Sequence, residues 1–196
     1  MEPPGFNLFV AGPTGTGRVR ATRGFVERAA RTRPPAPDLC YVNNFDELRC
    51  PDGDDSAGEG QQPPVVQELV ALGREHLFDR YRVNVVVDNG ALQGAPVVFE
   101  ANPTYYNLLG RIQYQVRFGS IATDFRMIEA GALHRANGGY LVVQALDLLT
   151  SPFAWDALKR ALRTREVRIE NMGEQLMPIP TATLRPDPVP LDAKVS

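Results

Sequence analysis

The residues best suited to chemistry lie near the start of the chain, in the stretch Gly12-Pro13-Thr14-Gly15-Thr16-Gly17-Arg18-Val19. The apolar run before them, residues 6–11, predicts a buried strand. Glycines between a strand and a helix let backbone N–H groups close around phosphate oxygens, and the helix adds its N-terminus. The spacing from Gly12 to Gly17 is that of the pattern G-x-x-x-x-G-K-[ST]. The stretch therefore predicts a nucleotide site.

The last two positions of that pattern carry the wrong residues, Arg18 in place of Lys and Val19 in place of Ser or Thr. Phosphoryl transfer needs a cation on the phosphates and Mg²⁺ bridging the β and γ oxygens. Arg18 can pair with phosphate but is bulkier than Lys, and Val19 has no hydroxyl for Mg²⁺. We expect ATP or ADP as the candidate ligand, with Mg²⁺ poorly bound. The alternative is a structural turn whose glycines serve backbone geometry.

Composition indicates an ordinary soluble domain, with 196 residues of which 43% are hydrophobic and 22% are charged. The net charge of −2 gives no electrostatic reason to expect a nucleic-acid or membrane partner. No apolar run is long enough to span a bilayer, and no signal pattern opens the chain. Cys40 and Cys50 are too few for a metal site or a disulfide framework. We expect a cytoplasmic protein with no metal centre.

Periodicity predicts an α/β chain. Helices are expected over 19–33, 65–78, 108–114 and 153–162, and strands over 39–43, 81–88, 96–99, 140–143 and from 191 onward. Two hairpins are predicted, one joining 81–88 to 96–99 through Asn89-Gly90 and one joining 167–170 to 181–184. The composition of residues 51–64 predicts a mobile loop or a linker. The order of strand, glycine turn, helix and strand favours a right-handed crossover in a parallel sheet.

Three stretches together resemble the ATPase module of Lon-type ATP-dependent proteases, in the Lon-like branch with LonB and LonC members. They are residues 6–19, residues 131–149 with the core His134-Arg135-Ala136-Asn137-Gly138-Gly139, and residues 185–192. The resemblance implies the large subdomain of an AAA+ ATPase, a three-layer α/β P-loop fold with a parallel central sheet and a β-hairpin insertion. It also implies a hexameric ring that feeds unfolded polypeptide to a Lon-type serine protease domain with a Ser–Lys dyad.

The sequence departs from the family pattern at the second wall of the nucleotide pocket. Gln144 and Ala145 stand where the Walker B strand of the family ends in Asp-Glu, of which Asp helps to hold Mg²⁺ and Glu orients the attacking water. We therefore expect a degenerate site without hydrolysis. Two alternatives stay open: an active Mg-ATPase that uses Arg18 and another carboxylate, and a truncated remnant without function.

The expected organisation is a strand–helix–strand start over 1–50, a shortened linker or helical insertion over 51–80 and the rest of the subdomain over 81–196. The lid and the protease domain are expected to be missing, so the protease domain would act in cis or in trans. None of the four serines, Ser56, Ser120, Ser151 and Ser196, has a catalytic setting, and we predict no catalytic residue. Ser151 is expected to cap the helix that follows it.

Four further residues have competing interpretations. Tyr105 and Tyr106 are candidate pore contacts for a translocating chain, against a role in the core. His134 is expected to be a hydrogen-bonded structural residue, against a subunit-contact or nucleotide-sensing role. Asp147 is expected in the loop or helix start after the strand, against a role as a shifted metal ligand.

Overall fold

The computed structural model describes residues 7–13, 15–42, 83–117, 120–170 and 184–195. The predicted loop over 51–64 and the helix over 65–78 lie outside these residues. The helices are α1 (Arg18–Arg31), α2 (Tyr105–Leu109), α3 (Ala132–Arg135), α4 (Ala145–Thr150) and α5 (Ala154–Thr164). The strands are β1 (Leu39–Tyr41), β2 (Asn84–Val87), β3 (Val97–Glu100), β4 (Arg111–Ile112), β5 (Gln115–Arg117), β6 (Ser120–Ala122), β7 (Ile128–Glu129), β8 (Tyr140–Val143), β9 (Glu166–Val167), β10 (Val189–Pro190) and β11 (Lys194–Val195).

A three-stranded parallel sheet in the order β11-β8-β3 lies at the centre of the fold. All four residues of β3 pair with β8, from Val97 opposite Tyr140 to Glu100 opposite Val143. The apolar runs that form these strands predict burial on both faces, as in other parallel sheets. The observed mixed α/β architecture with a parallel sheet fits the predicted P-loop-like fold.

Helix α1 crosses this sheet against the direction of the strands. Near the helix end, the Ala95 N–H donates to the carbonyl oxygen of Ala30 at 3.0 Å, just before β3 begins. Nearer the helix start, the Arg23 guanidinium lies 4.9 Å from the centre of the Phe99 ring, well along β3. The N-terminus of α1 therefore lies toward the edge of the sheet where the parallel strands end.

The segment before the glycine turn lies beside β11 but is not the buried strand that we predicted. The Leu8 N–H donates to Val195 O at 3.0 Å, and the Val195 N–H donates to Asn7 Oδ1 at 3.1 Å. Residues 7–13 form no regular strand, and the Phe9 side chain is 78% exposed. A single backbone hydrogen bond is too few to form a regular strand pairing. Residues 7–13 are all exposed, so the described part of the chain does not bury this segment.

The predicted crossover from the glycine turn to a parallel β1, and the predicted hairpin between residues 81–88 and 96–99, are both wrong. Strand β1 pairs with β2 in a separate antiparallel sheet, while β3 joins the parallel sheet. Asn89 explains the difference, because its side chain donates to Pro37 O at 3.0 Å and its N–H donates to Asp38 Oδ1 at 2.7 Å. The turn residue thus ties β2 to the segment leading into β1.

Strand β9 pairs with β10 (Val189–Pro190). The predicted hairpin between residues 167–170 and 181–184 stays a prediction, because 181–183 lie outside the described residues. One further predicted helix differs from the structure. The helix predicted over 108–114 is instead α2 (Tyr105–Leu109), which ends at Gly110 with φ of 87°. That conformation favours glycine and lets the chain turn into β4.

Ser151 closes one helix instead of capping the next. Its hydroxyl donates to Asp147 O at 2.8 Å, and α5 begins three residues later at Ala154. The hydroxyl reaches a carbonyl oxygen in the last turn of α4 and donates its hydrogen bond there, instead of accepting one from an N–H of the next helix.

Buried side chains from α2, α3, α5 and β8 form the main core. Its fully buried members include Leu108, Leu133, Leu141 and Leu158. A smaller cluster of Ile112, Ile128 and Ile169 lies at β4 and β7. Among the helices that the structure describes, none is long and apolar enough to cross a membrane.

Candidate functional site

The glycine turn has the backbone geometry that its sequence predicts. Gly15 and Gly17 have φ of 83° and 73°, values that residues with a Cβ rarely adopt. The Thr16 hydroxyl donates to Pro13 O at 2.8 Å and closes the turn. The turn leads directly into α1, of which Gly17 is the N-terminal capping position.

The first turn of α1 has no acidic residue, and no described side chain caps it. Its N–H groups and the positive end of the helix dipole are therefore available to an anion. Arg18 lies against the turn, because its Cδ is 3.2 Å from the point where a Cβ on Gly12 would be. Arg18 is half-buried, whereas Val19 is 68% exposed.

Gln144 and Ala145 follow the last residue of β8 and are both exposed. Gln144 is the N-terminal capping position of α4, and its carbonyl oxygen accepts from the Leu148 N–H at 3.0 Å. Because α1 begins at the edge where β8 ends, the turn and Gln144 share the edge of the sheet where open α/β proteins bind ligands. Asp147 lies in the first turn of α4, as its helix-start interpretation predicted.

The same edge carries a carboxylate that the sequence interpretation missed. Glu100 ends β3, opposite Val143 and so next to Gln144. Its side chain is 14% exposed, lies 3.1 Å from Arg135 Nη2, and accepts from the Asn102 N–H at 3.0 Å. The available signal was an acidic residue directly after an apolar strand pattern, since such a residue falls at the carboxyl edge. Across the described residues, no cluster of three or more His, Cys, Asp or Glu could hold a metal ion.

The groups at the carboxyl edge of the sheet suit a phosphate better than a magnesium ion. The glycine turn and α1 offer backbone N–H groups and Arg18 offers a guanidinium, all of which suit phosphate oxygens. Mg²⁺ prefers carboxylate and hydroxyl oxygens in octahedral geometry. Val19 and Ala145 supply no oxygen from their side chains, Gln144 supplies only a neutral one, and Glu100 is paired with Arg135.

The Asn-Gly-Gly turn before β8 has a structural role. Asn137 donates through Nδ2 to Pro190 O at 2.8 Å and accepts through Oδ1 from the Asp192 N–H at 2.8 Å. A Cβ on Gly139 would overlap the carbonyl oxygen of Pro96, so only glycine allows β8 to approach β3 here. The motif thus fastens β8 to its neighbours on both sides.

His134 is buried on α3, with 1% of its surface exposed. Its Nδ1 accepts from the Gly131 N–H at 3.4 Å, and its Nε2 has no partner among the described residues. Burial lowers the pKa of His134 to about 4, so the ring is neutral at physiological pH. These contacts agree with the structural interpretation of this residue.

The two tyrosines of α2 have different environments. Tyr105 is 7% exposed and belongs to the core, whereas Tyr106 is 38% exposed. Their rings meet edge to face with centroids 5.4 Å apart. Burial raises the pKa of the Tyr105 hydroxyl, and the Glu170 carboxylate adds to that effect while Arg160 opposes it. Only Tyr106 offers its ring to the surface.

A parallel sheet, a helix crossing it and a glycine turn at its carboxyl edge fit a P-loop-like α/β domain. The family model described as "LonB-like, AAA domain" matches residues 93–196, which are more than half of the chain. The chain belongs to this family, and the predicted resemblance to a Lon-like AAA module is confirmed. The matched region contains β3, the Asn137 turn, β8 and β11, and it begins after the glycine turn. No curated protein matches the chain.

Proposed function

We propose that the chain is the AAA+ module of a Lon-like ATP-dependent protease whose nucleotide site no longer hydrolyses ATP. In this proposal the module works in the cytoplasm as a homo-oligomeric ring, a hexamer by family resemblance. It guides or gates unfolded polypeptide toward a proteolytic chamber. A Lon-type protease domain, in cis or in trans, supplies the chamber.

The observation that carries the loss of hydrolysis is the pairing of substitutions at one edge of the sheet. Arg18 and Val19 follow the glycine turn, and Gln144 and Ala145 follow β8. Hydrolysis depends on Mg²⁺ and on a positioned water at the γ-phosphate. Gln144 offers Mg²⁺ only a neutral amide oxygen, and the side chains of Arg18, Val19 and Ala145 offer no oxygen. The four residues together therefore weaken both Mg²⁺ binding and the positioning of the water.

Nucleotide binding without turnover remains compatible with this arrangement. When bound, ATP or ADP would place its phosphates against the N–H groups of the glycine turn and the start of α1, with Arg18 pairing an oxygen. Bound nucleotide would then stabilise the module without releasing phosphate. Tyr106, with Tyr105 behind it, is the candidate contact for the polypeptide in the pore.

Phosphate release by the full chain tests the proposal. We expect no magnesium-dependent release above background. We expect release to appear in a variant that restores the pattern, with Arg18→Lys, Val19→Thr, Gln144→Asp and Ala145→Glu. ADP affinity, measured by calorimetry with and without Mg²⁺, separates a phosphate-binding turn from a structural one. Metal-independent binding would support phosphate contact through backbone and Arg18.

Glu100 favours one alternative function, an active Mg-ATPase that uses Arg18. Its carboxylate lies one strand away from Gln144, at the edge where a metal ligand is needed. Magnesium-dependent hydrolysis by the unmodified chain, abolished by Arg18→Ala and by Glu100→Gln, would establish this alternative and refute the proposed loss.

A further inference from the structure

A cleft of about 440 Å³ lies along one face of α5. Its volume is in the range of ligand-binding clefts. It is lined by Tyr105, Phe153, Asp156, Ala157, Lys159, Arg160, Arg163 and Glu170.

The residues that line the cleft extend along most of α5. Phe153, Ala157, Arg160 and Arg163 follow the three-and-four spacing that places residues on one stripe of a helix. Ten residues separate the first from the last, which corresponds to about 15 Å at 1.5 Å per residue. An extended peptide covers that distance in four to five residues, at about 3.3 Å each. The shape suits a short stretch of polypeptide.

One end of the cleft is apolar and strained. Phe153 has φ of 62° and its side chain is 61% exposed. A left-handed conformation costs roughly 1–2 kcal/mol for a residue with a Cβ, and an exposed ring returns little of that through burial. Such strain is typical of functional positions. The phenylalanine therefore provides an apolar contact that the fold itself does not use.

The other end carries an excess of positive charge. Lys159 pairs with Asp156 at 2.7 Å and Arg160 pairs with Glu170 at 3.2 Å. Arg163 forms no ion pair with any residue that the structure describes. Three cations and two carboxylates leave one positive charge, located at the end of the cleft opposite Phe153.

We infer that this cleft binds an extended peptide segment with an apolar side chain at Phe153 and, four to five residues away, a carboxylate at Arg163. The carboxylate can be a free C-terminus or an acidic side chain, because Arg recognises both by the same charge-assisted hydrogen bonds. The inference is independent of the proposed loss of hydrolysis, since it requires neither nucleotide nor a protease domain, and it adds a second peptide contact to the proposed handling of polypeptide.

Fluorescence anisotropy with the full chain tests the inference. The probe is fluorescein-Gly-Phe-Ser-Gly-Ser-Ser with a free C-terminal carboxylate, which places four residue steps between the phenylalanine and the carboxyl end. Amidation of its C-terminus, or replacement of its phenylalanine by serine, should each weaken binding about fivefold or more. An amidated probe in which aspartate replaces the last serine should recover binding if Arg163 can bind the carboxylate of a side chain. If it does not recover, the carboxylate is a C-terminus.

Two variants assign the ends of the peptide. Arg163→Gln should bind the free and amidated probes equally. The charge-matched control is Arg31→Gln, which removes an exposed arginine at the end of α1. This control should still bind the free probe more tightly than the amidated one. Phe153→Asn retains a residue tolerant of the left-handed conformation and should lose the preference for phenylalanine. Thermal unfolding checks that each variant is folded.

Three outcomes would overturn the inference. The first is equal binding of the free and amidated probes to the unmodified chain. The second is an unchanged preference in Arg163→Gln. The third is that low-millimolar inorganic phosphate displaces the probe equally well whether or not the probe contains phenylalanine. This result would indicate a simple anion site. None of these outcomes bears on ATP hydrolysis, so the proposed function stands or falls separately.

Discussion

The backbone N–H of Leu8 donates to the carbonyl oxygen of Val195 at 3.0 Å, which joins the segment before the glycine turn to the outer edge of β11. On its other side, β11 pairs with β8. Strand β11 therefore lies between the segment that leads to the glycine turn and β8, which ends just before Gln144. The glycine turn owes its place beside the sheet to this contact between residues far apart in sequence.

Replacing glycine by alanine should change the free energy of unfolding in opposite directions at Gly17, which is left-handed, and at Gly24, which is helical. Gly17→Ala should lower the free energy of unfolding by about 1 kcal/mol, because alanine disfavours a φ of 73°. Gly24→Ala, inside α1 where an added Cβ meets only ordinary contacts, should raise it by up to about 1 kcal/mol. Urea denaturation measures both. Equal effects at the two positions would contradict the assigned turn geometry.

Asn137 is predicted to stabilise the fold more than a typical surface asparagine does. Asn137→Ala removes hydrogen bonds to Pro190 and Asp192 and should cost about 2 kcal/mol in the free energy of unfolding. Asn107→Ala is the matched control, since its side chain donates only to Asn102 O from an exposed position. We expect its cost to be below about 1 kcal/mol. A similar small loss in both variants would exclude the fastening role of Asn137.

His134 should make stability fall as the pH is lowered. Its pKa is about 4 in the folded chain and 6.5 ordinarily, so the unfolded chain binds the proton more tightly. The neutral ring therefore contributes its full stabilisation above pH 6.5, and this is lost as the pH falls to about 4. The total is roughly 3 kcal/mol, at about 1.4 kcal/mol per pKa unit.

Urea midpoints of the unmodified chain and of His134→Gln, measured between pH 7 and pH 4, test this dependence. The variant should be less stable at pH 7 but should lose less stability on acidification. His76→Gln changes the only other histidine and should keep the slope of the unmodified chain. Parallel curves for the chain and His134→Gln would assign the acid sensitivity to other groups.

The C-terminus of α5 is predicted to tolerate glycine. Arg165 ends this helix with φ of 56°, a left-handed conformation that glycine adopts without strain. Arg165→Gly should therefore raise the free energy of unfolding by about 0.5–1 kcal/mol. Two residues earlier, inside the helix, Arg163→Gly should lower it by about 1 kcal/mol. Thermal melts of the two variants should shift in opposite directions, and a shared direction would contradict the helix end.

Local pattern in the sequence was sufficient for several elements. Strand β8 was predicted to the residue over 140–143, and α1 and α5 were predicted within two residues at each end. The glycine turn adopted the positive φ values that its spacing indicates. These features depend on side-chain periodicity and on the freedom of glycine, both of which act over a few neighbouring residues.

Only the tertiary structure decided which elements meet. Asn89 bonds to the segment before β1 instead of closing a hairpin, Ser151 bonds back to α4, and Glu100 reaches Arg135 across 35 positions. The cleft along α5 likewise combines Tyr105, Phe153 and Glu170 from separate parts of the chain. Periodicity specifies which face of an element is apolar, but not which partner covers it. That choice depends on the burial and hydrogen bonds gained when distant segments pack together.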